Sequence, residues 1–197
     1  MSNPDGPGET RRLLRFFDIV LAALGLVLTL PLLMLLLAMG FIVGGAPLFF
    51  QTRVGRNQKP FTLVKLRTMR SGTAEVATHL ADEAAVTHWG RFLRRSKLDE
   101  LPQLWNVLKG DMSLVGPRPC LFSQTELIEE RAKRGVFAAR PGITGLAQIS
   151  GIDMSTPRLL AETDARMLRD LDSKGYFAYL FKTIAGAGRG DRIRQAR

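Results

Sequence analysis

The sequence is poor in cysteine and histidine, which limits the chemistry open to it. Cys120 is the single cysteine, so no disulfide bond can form within the chain, and the composition is compatible with a reducing compartment. We interpret Cys120 as a small buried thiol rather than a nucleophile. The two histidines, His79 and His88, have a spacing that is not typical of zinc ligands. The sequence therefore predicts neither a disulfide scaffold nor a zinc centre.

Charge is missing from one long stretch near the N-terminus. No charged residue lies between Asp18 and Arg53, and the apolar run 19–43 is long enough to cross a bilayer. It exceeds the apolar core of a signal peptide and no small-residue cleavage site follows it, so we expect it to be retained. Basic residues flank the run on both sides, and Pro31 lies near its middle. These features fit a kinked transmembrane anchor, and they equally fit a helix that bends at Pro31 and returns to its own side.

Acidic residues are outnumbered in this chain. Lysine and arginine total 28 against 18 acids, giving a net charge of +10, so partners are expected to be anionic: nucleic acid, a phospholipid surface or phosphorylated small molecules. The 197 residues, 46% of them hydrophobic, suffice for one domain with attachments. We divide the chain into a disordered tail (1–10), a membrane helix (11–46), a folded domain (47–185) and a basic tail (186–197).

The apolar pattern of the folded domain predicts an α+β structure that is mainly helical. Two short runs, 47–54 and 60–69, are separated by a turn and predict a strand pair. Helices are predicted within 86–98, from Asp99 or Glu100 to Gly110, and over 123–134 and 157–171, followed by an apolar run at 176–184. The helix within 86–98 carries aromatic residues beside arginines. This fits a helix at a lipid headgroup surface, or a core helix with a solvated basic face.

Asp99 and Glu100 form an acidic pair in a basic neighbourhood that includes Arg94, Arg95 and Lys97. Proline at position 102 is tolerated only in a first turn, which predicts that the pair lies at a helix N-terminus, where capping is its ordinary role. An ionised carboxylate among arginines is also equipped to attack phosphorus and form an acyl phosphate. A neighbouring carboxylate would then hold Mg²⁺. The chemical hypothesis explains why a basic chain carries bare acids here.

Three segments carry a resemblance to a known family. They are FTLVKLRTM, GRFLRRSKLDELPQLWNVLKGDMSLVGPRP and RPGITGLAQISG, and they follow the basic-flanked apolar helix with its central proline. Together they resemble the bacterial sugar transferases, the small monotopic polyprenyl-phosphate glycosyl-1-phosphate transferases. The similarity runs from about 11 to 191. The stretch GYFAYLFK departs from the LDLK-like segment of many members, so no role is transferred there.

The resemblance implies a reaction. A sugar-1-phosphate would pass from a UDP-sugar to undecaprenyl phosphate, with release of UMP, through a covalent aspartyl-phosphosugar intermediate. In that family the first acid of the pair is the nucleophile and the second helps to bind Mg²⁺. These two acids correspond to Asp99 and Glu100. The family's N-terminal helix is re-entrant and broken at a proline, which matches Pro31.

The resemblance also implies a setting and further site residues. It places the domain 47–185 on the cytoplasmic face of the bacterial inner membrane, with interfacial amphipathic helices, at the start of exopolysaccharide or lipopolysaccharide assembly. Basic residues of the matching motifs fall where the family gathers phosphate contacts: Lys65, Arg67, Arg95, Arg118 and Arg140. Polar residues expected to support the pair are Gln103, Asn106 and Gln148. Arg67 and Arg95 equally fit roles in the fold or in headgroup binding, and a homodimer is left open.

Two other functions compete with this one. Within enzymes, the rival is direct transfer in a single step, with Asp99 only binding the metal ion. Outside enzymes, the alternative is a membrane-tethered basic module that binds anionic lipid or nucleic acid, on which the acids are simple caps. The sequence contains no recognised nucleic-acid motif, so we expect no nucleic-acid partner.

Overall fold

The computed structural model describes residues 7–70 and 85–188. Within these ranges the chain forms helices α1 (Pro7–Gly44), α2 (His88–Ser96), α3 (Gln103–Lys109), α4 (Thr125–Lys133), α5 (Leu146–Ile149), α6 (Pro157–Asp170) and α7 (Ser173–Ile184). The strands are β1 (Leu48–Val54), β2 (Pro60–Leu66), β3 (Ser113–Val115) and β4 (Gly142–Thr144). The predicted α+β class, mainly helical with a few short strands, is confirmed.

Helix α1 contains the long apolar run. It starts at Pro7, so residues 7–10 of the predicted tail are helical, and it continues through Pro31 rather than breaking there. Proline removes one hydrogen bond, which does not end a helix whose flanking residues, mostly leucine, are strong helix formers. At 38 residues, the helix is about 57 Å long, compared with about 30 Å for a bilayer core. Length and composition thus allow α1 to cross a membrane.

Strands β1 and β2 form the predicted antiparallel pair. Leu48 lies opposite Leu66 and Val54 opposite Pro60, and the connecting turn places Asn57 and Gln58 in left-handed conformations. This hairpin presents Lys65, on β2, to the site described below.

A second, parallel pair joins two short segments for which the sequence predicted no strand. Ser113 of β3 lies opposite Gly142 of β4, and Val115 lies opposite Thr144. Strands of three residues are too short to show an alternating pattern, which is why the sequence does not predict them. The backbone at Gly142 lies very close to the backbone at Gly116. A Cβ atom on Gly142 would lie 2.0 Å from the backbone nitrogen of Gly116, so only glycine fits at position 142.

A buried aspartate anchors α1 to the rest of the domain. Oδ1 of Asp18 accepts hydrogen bonds from the Leu114 N–H (2.8 Å), the Ser113 hydroxyl (3.0 Å) and the Tyr176 hydroxyl (2.9 Å). The same region of α1 contributes Ala22 to a core shared with α3, α6 and α7. Farther along, Leu36 packs against residues of β2 and α2. Both halves of α1 therefore contact the same domain.

Candidate active site

The acidic pair lies at a cavity of about 280 Å³, near the lower end of the usual size for ligand sites. Its walls come from β2, α3, the segment around Arg118, the loop after β4, and the turn that follows α7. Asp99 and Glu100 occupy a 3₁₀ turn, Leu98–Glu100, which begins after Lys97 takes a left-handed conformation at the end of α2.

The pair does not stand where the sequence predicted. Helix α3 starts at Gln103 with Pro102 as its N-cap, so Asp99 and Glu100 precede the helix and neither is its capping residue. The predicted helix was one turn too long at its N-terminus. The 3₁₀ turn that precedes α3 continues the apolar face of the helix, so the leucine spacing does not separate the two. The simple capping explanation for these acids is therefore weaker than it was from the sequence.

Five basic residues line the cavity together with the acids: Arg53, Lys65, Arg94, Lys97 and Arg118. Two of them, Lys65 and Arg118, were predicted as phosphate ligands. The Nη2 atom of Arg118 lies 3.0 Å from Oε1 of Glu100. The arrangement places a strong positive potential around two carboxylates, which suits a ligand with several negative charges.

Lys65 is electrostatically unusual. Its partial burial, followed by the positive charge of Arg53, lowers the pKa of Lys65 from 10.5 to about 8, and the charge of Asp99 works in the opposite direction. Its ammonium group also lies 5.3 Å from the centroid of the Phe49 ring.

The other three predicted basic residues are not among the residues that line the cavity. Arg67 donates from Nε to the Ala46 carbonyl (2.8 Å), and Arg140 donates from Nε to the Gly110 carbonyl (2.9 Å). Arg95 is exposed on α2. Adjacent residues of a helix point about 100° apart, so α2 can turn only one of Arg94 and Arg95 toward the site, and it turns Arg94.

The predicted polar residues have different positions. Gln103 and Gln148 line the cavity. Asn106 lies beneath it and joins α3 to β2: its Oδ1 accepts from the Val64 N–H (3.0 Å) and its Nδ2 donates to the Thr62 carbonyl (2.8 Å). Asn106 thus positions the site by fixing the helix against the strand that carries Lys65.

A buried ion pair supports Arg118 from behind, and the sequence did not point to it as a pair. Nη2 of Arg131 lies 2.6 Å from Oδ2 of Asp164, and both side chains are almost wholly buried. Nη1 of Arg131 also donates to the Arg118 carbonyl (2.8 Å). The two partners are far apart in the chain, on α4 and α6. The only sign of them in the sequence is one charged residue on the apolar face of each helix.

The chain's last described turn also belongs to the site. Gly188 lines the cavity, and Lys97 donates to the Ala187 carbonyl (3.4 Å). The sequence had assigned 186–197 to a tail without packing; residues 186–188 pack against the domain, and 189–197 lie outside the described residues. Glycine and alanine carry little apolar surface, which is why this turn gave no packing signal.

The donor set suits a metal ion that is shared with a ligand. Among the described residues, no group of three or more His, Cys, Asp or Glu side chains forms a ready cage. Mg²⁺ usually takes only one or two carboxylates and fills its remaining positions with water and substrate phosphate. Asp99 and Glu100 offer that number, at a cavity whose cations would attract phosphate.

Residues 9–189 match the profile of the family described as Bacterial sugar transferase. The chain belongs to this family. The match includes α1 from residue 9 onward, the acidic pair and every cavity residue named above.

Two relatives that are named for an activity share this sequence to different extents. The UDP-galactose-lipid carrier transferase of Erwinia amylovora is 35% identical over 201 residues, which cover 93% of this chain and 42% of that protein. The UDP-glucose:undecaprenyl-phosphate glucose-1-phosphate transferase of Caulobacter vibrioides is 44% identical over 164 residues, 76% of this chain and 61% of that protein. The chain thus spans less than two thirds of the length of each of these two relatives.

A third relative is closer in size. The exopolysaccharide production protein ExoY of Rhizobium meliloti is 35% identical over 190 residues, which cover 86% of this chain and 83% of that protein.

Proposed function

We propose that this transferase moves a sugar-1-phosphate from a UDP-sugar to undecaprenyl phosphate, producing undecaprenyl diphosphosugar and UMP. The names of the Erwinia and Caulobacter relatives support a UDP-sugar donor and a lipid acceptor as the substrate classes. The observation that carries the proposal is that Asp99 and Glu100 share one cavity with five basic side chains. A diphosphate needs such cations, and a carboxylate beside them is placed to attack it.

In the first step, an Oδ atom of Asp99 attacks the β-phosphorus of the UDP-sugar. The new P–O bond gives an aspartyl-phosphosugar, the bond from the β-phosphorus to the bridging oxygen breaks, and UMP leaves with that electron pair. Arg53, Arg94 and Lys65 neutralise the phosphate oxygens, which lowers the repulsion between carboxylate and diphosphate.

In the second step, a phosphate oxygen of undecaprenyl phosphate attacks the same phosphorus. The acyl phosphate bond breaks and returns a free carboxylate to Asp99. Because the acceptor's phosphate lies at the headgroup plane, the site must be held at the membrane surface. Helix α1 and exposed apolar side chains on other helices, among them Trp105 and Phe181, would supply that contact.

Glu100 is proposed to hold Mg²⁺ together with the substrate diphosphate, in place of its ion pair with Arg118. When bound, the metal ion would stabilise negative charge on the phosphate oxygens and the leaving group. Chelation should abolish transfer and added Mg²⁺ should restore it.

Both ends of α1 are proposed to lie on the cytoplasmic face of the inner membrane. Ala22 and Leu36, from opposite halves of the helix, pack against the same domain. These contacts hold the helix on both sides of Pro31 close to one domain. The basic residues on both flanks favour the same arrangement.

The decisive test is to trap the intermediate. Membrane-embedded protein is incubated with a UDP-sugar labelled in the β-phosphate, without lipid acceptor, and protein-bound label is measured. The native chain should retain label and release UMP, whereas Asp99→Asn should do neither and should lose transfer by at least about 10³-fold, since the nucleophile is absent.

Three outcomes would contradict parts of this scheme. UMP release that strictly requires the lipid acceptor, with no protein-bound label, would favour single-step transfer. Full transfer by Asp99→Asn would exclude Asp99 as the nucleophile. Strong, salt-dependent nucleic-acid binding without any transfer would favour the basic binding module instead.

A further inference from the structure

Two cavity residues have a buried polar atom without a partner. Among the residues that the structure describes, the buried side-chain nitrogen and oxygen atoms that lack a hydrogen bond are Nη1 of Arg94, Oε1 of Gln148 and Oδ1 of Asp164. Arg94 and Gln148 line the cavity. Burying an unpaired polar atom is unfavourable, so such an atom on a cavity wall indicates where a ligand would supply the partner. Nη1 of Arg94 suits a phosphate, but Oε1 of Gln148 does not.

Glycines hold the Gln148 amide in one orientation. Its Nε2 donates a long hydrogen bond to the Gly116 carbonyl (3.5 Å), and in this orientation Oε1 is the acceptor end of the amide. A Cβ atom on Gly145 would lie 3.0 Å from the side-chain Oε1 of Gln148, and one on Gly188 would lie 2.5 Å from the backbone carbonyl oxygen of Gln148. A larger residue at position 145 would therefore crowd the acceptor oxygen, and one at position 188 would displace the Gln148 backbone.

The acceptor chemistry of Oε1, rather than the charge around it, sets Gln148 apart from the residues that suit a phosphate. An amide oxygen only accepts hydrogen bonds, and phosphate oxygens are acceptors too. The cavity cations Arg53, Arg94 and Arg118 act on Lys65, beside Asp99. The cavity lining close to Gln148 in the chain includes the neutral Ile152 and the carboxylate of Asp153, while the fifth cation, Lys97, donates to the Ala187 carbonyl beside Gly188.

We propose that Gln148 is a specificity-determining residue whose Oε1 accepts a hydrogen bond from an N–H or O–H group in the uncharged part of the nucleotide sugar. This inference rests on the proposed function and extends it from the diphosphate to the remainder of the substrate. The uracil N–H and the hydroxyl groups of the sugars offer the same chemistry, and the experiment below separates them.

The experiment measures dissociation constants on the full chain in lipid nanodiscs. The ligands are a UDP-sugar (UDP-glucose or UDP-galactose, whichever binds more tightly), UDP, and inorganic pyrophosphate, which carries the charge alone. Gln148→Met keeps the length of the side chain and removes the amide acceptor, while Gln148→Glu keeps acceptor oxygens. The readout is the affinity for each nucleotide relative to pyrophosphate, which cancels any general loss of folded protein.

If Oε1 of Gln148 accepts a hydrogen bond from the substrate, its removal should change the affinity for the nucleotide relative to pyrophosphate. Gln148→Met should weaken UDP-sugar relative to pyrophosphate by roughly three- to tenfold, the range expected for one lost hydrogen bond, and Gln148→Glu should return the ratio toward the native value. If UDP weakens to the same extent, the donor lies on the uridine. If only the UDP-sugar weakens, the donor lies on the sugar.

Two results would overturn the inference. One is an unchanged ratio in Gln148→Met. The other is an equal fall in Gln148→Met and Gln148→Glu, which would mean that the Nε2 contact matters and the acceptor does not. Failure of the proposed function would look different, since the native chain would then bind pyrophosphate without preferring any UDP-sugar.

Discussion

At the scale of single residues, the site balances opposite charges that lie close together. Glu100 is paired with Arg118 at 3.0 Å, and Arg118 is in turn supported through its carbonyl by Arg131. Arg131 is itself neutralised by Asp164. Each buried charge on this path has a partner, as burial requires, because an uncompensated charge in the interior would cost several kcal/mol. Burial nevertheless raises the pKa of Asp164, so desolvation outweighs the stabilisation by Arg131, and the path supports the backbone of Arg118 beside the acidic pair.

Lys65 gives a prediction about pH. Its pKa of about 8 means that the ammonium is charged below pH 8 and increasingly neutral above it. A bound diphosphate favours the charged form, so we expect UDP-sugar affinity to fall as pH rises through 8, by at most about tenfold per pH unit because one proton is linked to binding. Calorimetry in buffers of different ionisation enthalpy should show proton uptake on binding near pH 8.

Lys65→Arg is the matched control for this prediction. Guanidinium stays protonated throughout this range, so the fall in affinity above pH 8 and the proton uptake should both disappear. A pH profile that is identical in the native chain and in Lys65→Arg would show that another group is responsible.

At the scale of elements, the position of α3 against β2 determines whether the site is assembled. The side-chain amide of Asn106 bonds to the backbone N–H of Val64 and to the backbone carbonyl of Thr62, and its Nδ2 also lies 3.2 Å from Oδ2 of Asp111. Helix α3 carries Gln103 into the cavity and β2 carries Lys65, so this one amide sets their relative position.

We predict that Asn106→Asp lowers the melting temperature by about 5–10 °C. The substitution removes the donor to the Thr62 carbonyl and places a carboxylate beside Asp111, so a buried carbonyl loses its partner and two like charges meet. UDP-sugar affinity should fall as well. Thermal unfolding and ligand titration measure the two effects.

The control is the same chemical change on the surface. Asn57 is exposed, with φ 54° in the β1–β2 turn, where aspartate is tolerated almost as well as asparagine. Asn57→Asp should leave both quantities nearly unchanged. Equal effects of the two substitutions would mean that Asn106 has no special role.

At the scale of the whole molecule, the apolar surface of α1 is largely uncovered. Only 11% of its most apolar window is buried inside the protein, and large side chains such as Leu28 and Ile42 are 77% and 80% exposed. An exposed apolar surface of this extent is consistent with membrane association.

Re-entry predicts that both ends of α1 react from the same side of the membrane. Single cysteines at exposed positions, Glu9→Cys and Thr52→Cys, are introduced after Cys120→Ala and labelled with an impermeant maleimide. Both should react in inverted inner-membrane vesicles and neither in intact spheroplasts. Reaction from opposite sides would establish a helix that crosses the bilayer.

Pro31→Leu provides a companion variant for the labelling experiment. Leucine restores the hydrogen bond that proline removes and should favour a straight crossing, so part of the Glu9→Cys label should move to the other side. Identical labelling with and without Pro31 would show that the proline does not determine topology.

The sequence by itself determined what depends on local pattern. The apolar run of α1, the β1–β2 hairpin and the helices around Trp89, Leu127 and Leu160 all follow from periodicity and turn residues, which are properties of neighbouring positions. The acidic pair among basic residues, and the motifs that resemble the sugar transferases, are also readable in one pass along the chain.

Tertiary structure alone decided which charges meet. Arg94 rather than Arg95 faces the cavity, Arg67 and Arg140 bind backbone carbonyls instead, and Gly188 closes a wall that the sequence left open. These outcomes depend on helix rotation, on three-residue strands and on close contacts between glycines, none of which has a periodic signature. A charged side chain looks the same in the sequence whether it binds a ligand or a carbonyl, because only the packing of distant segments fixes where it points.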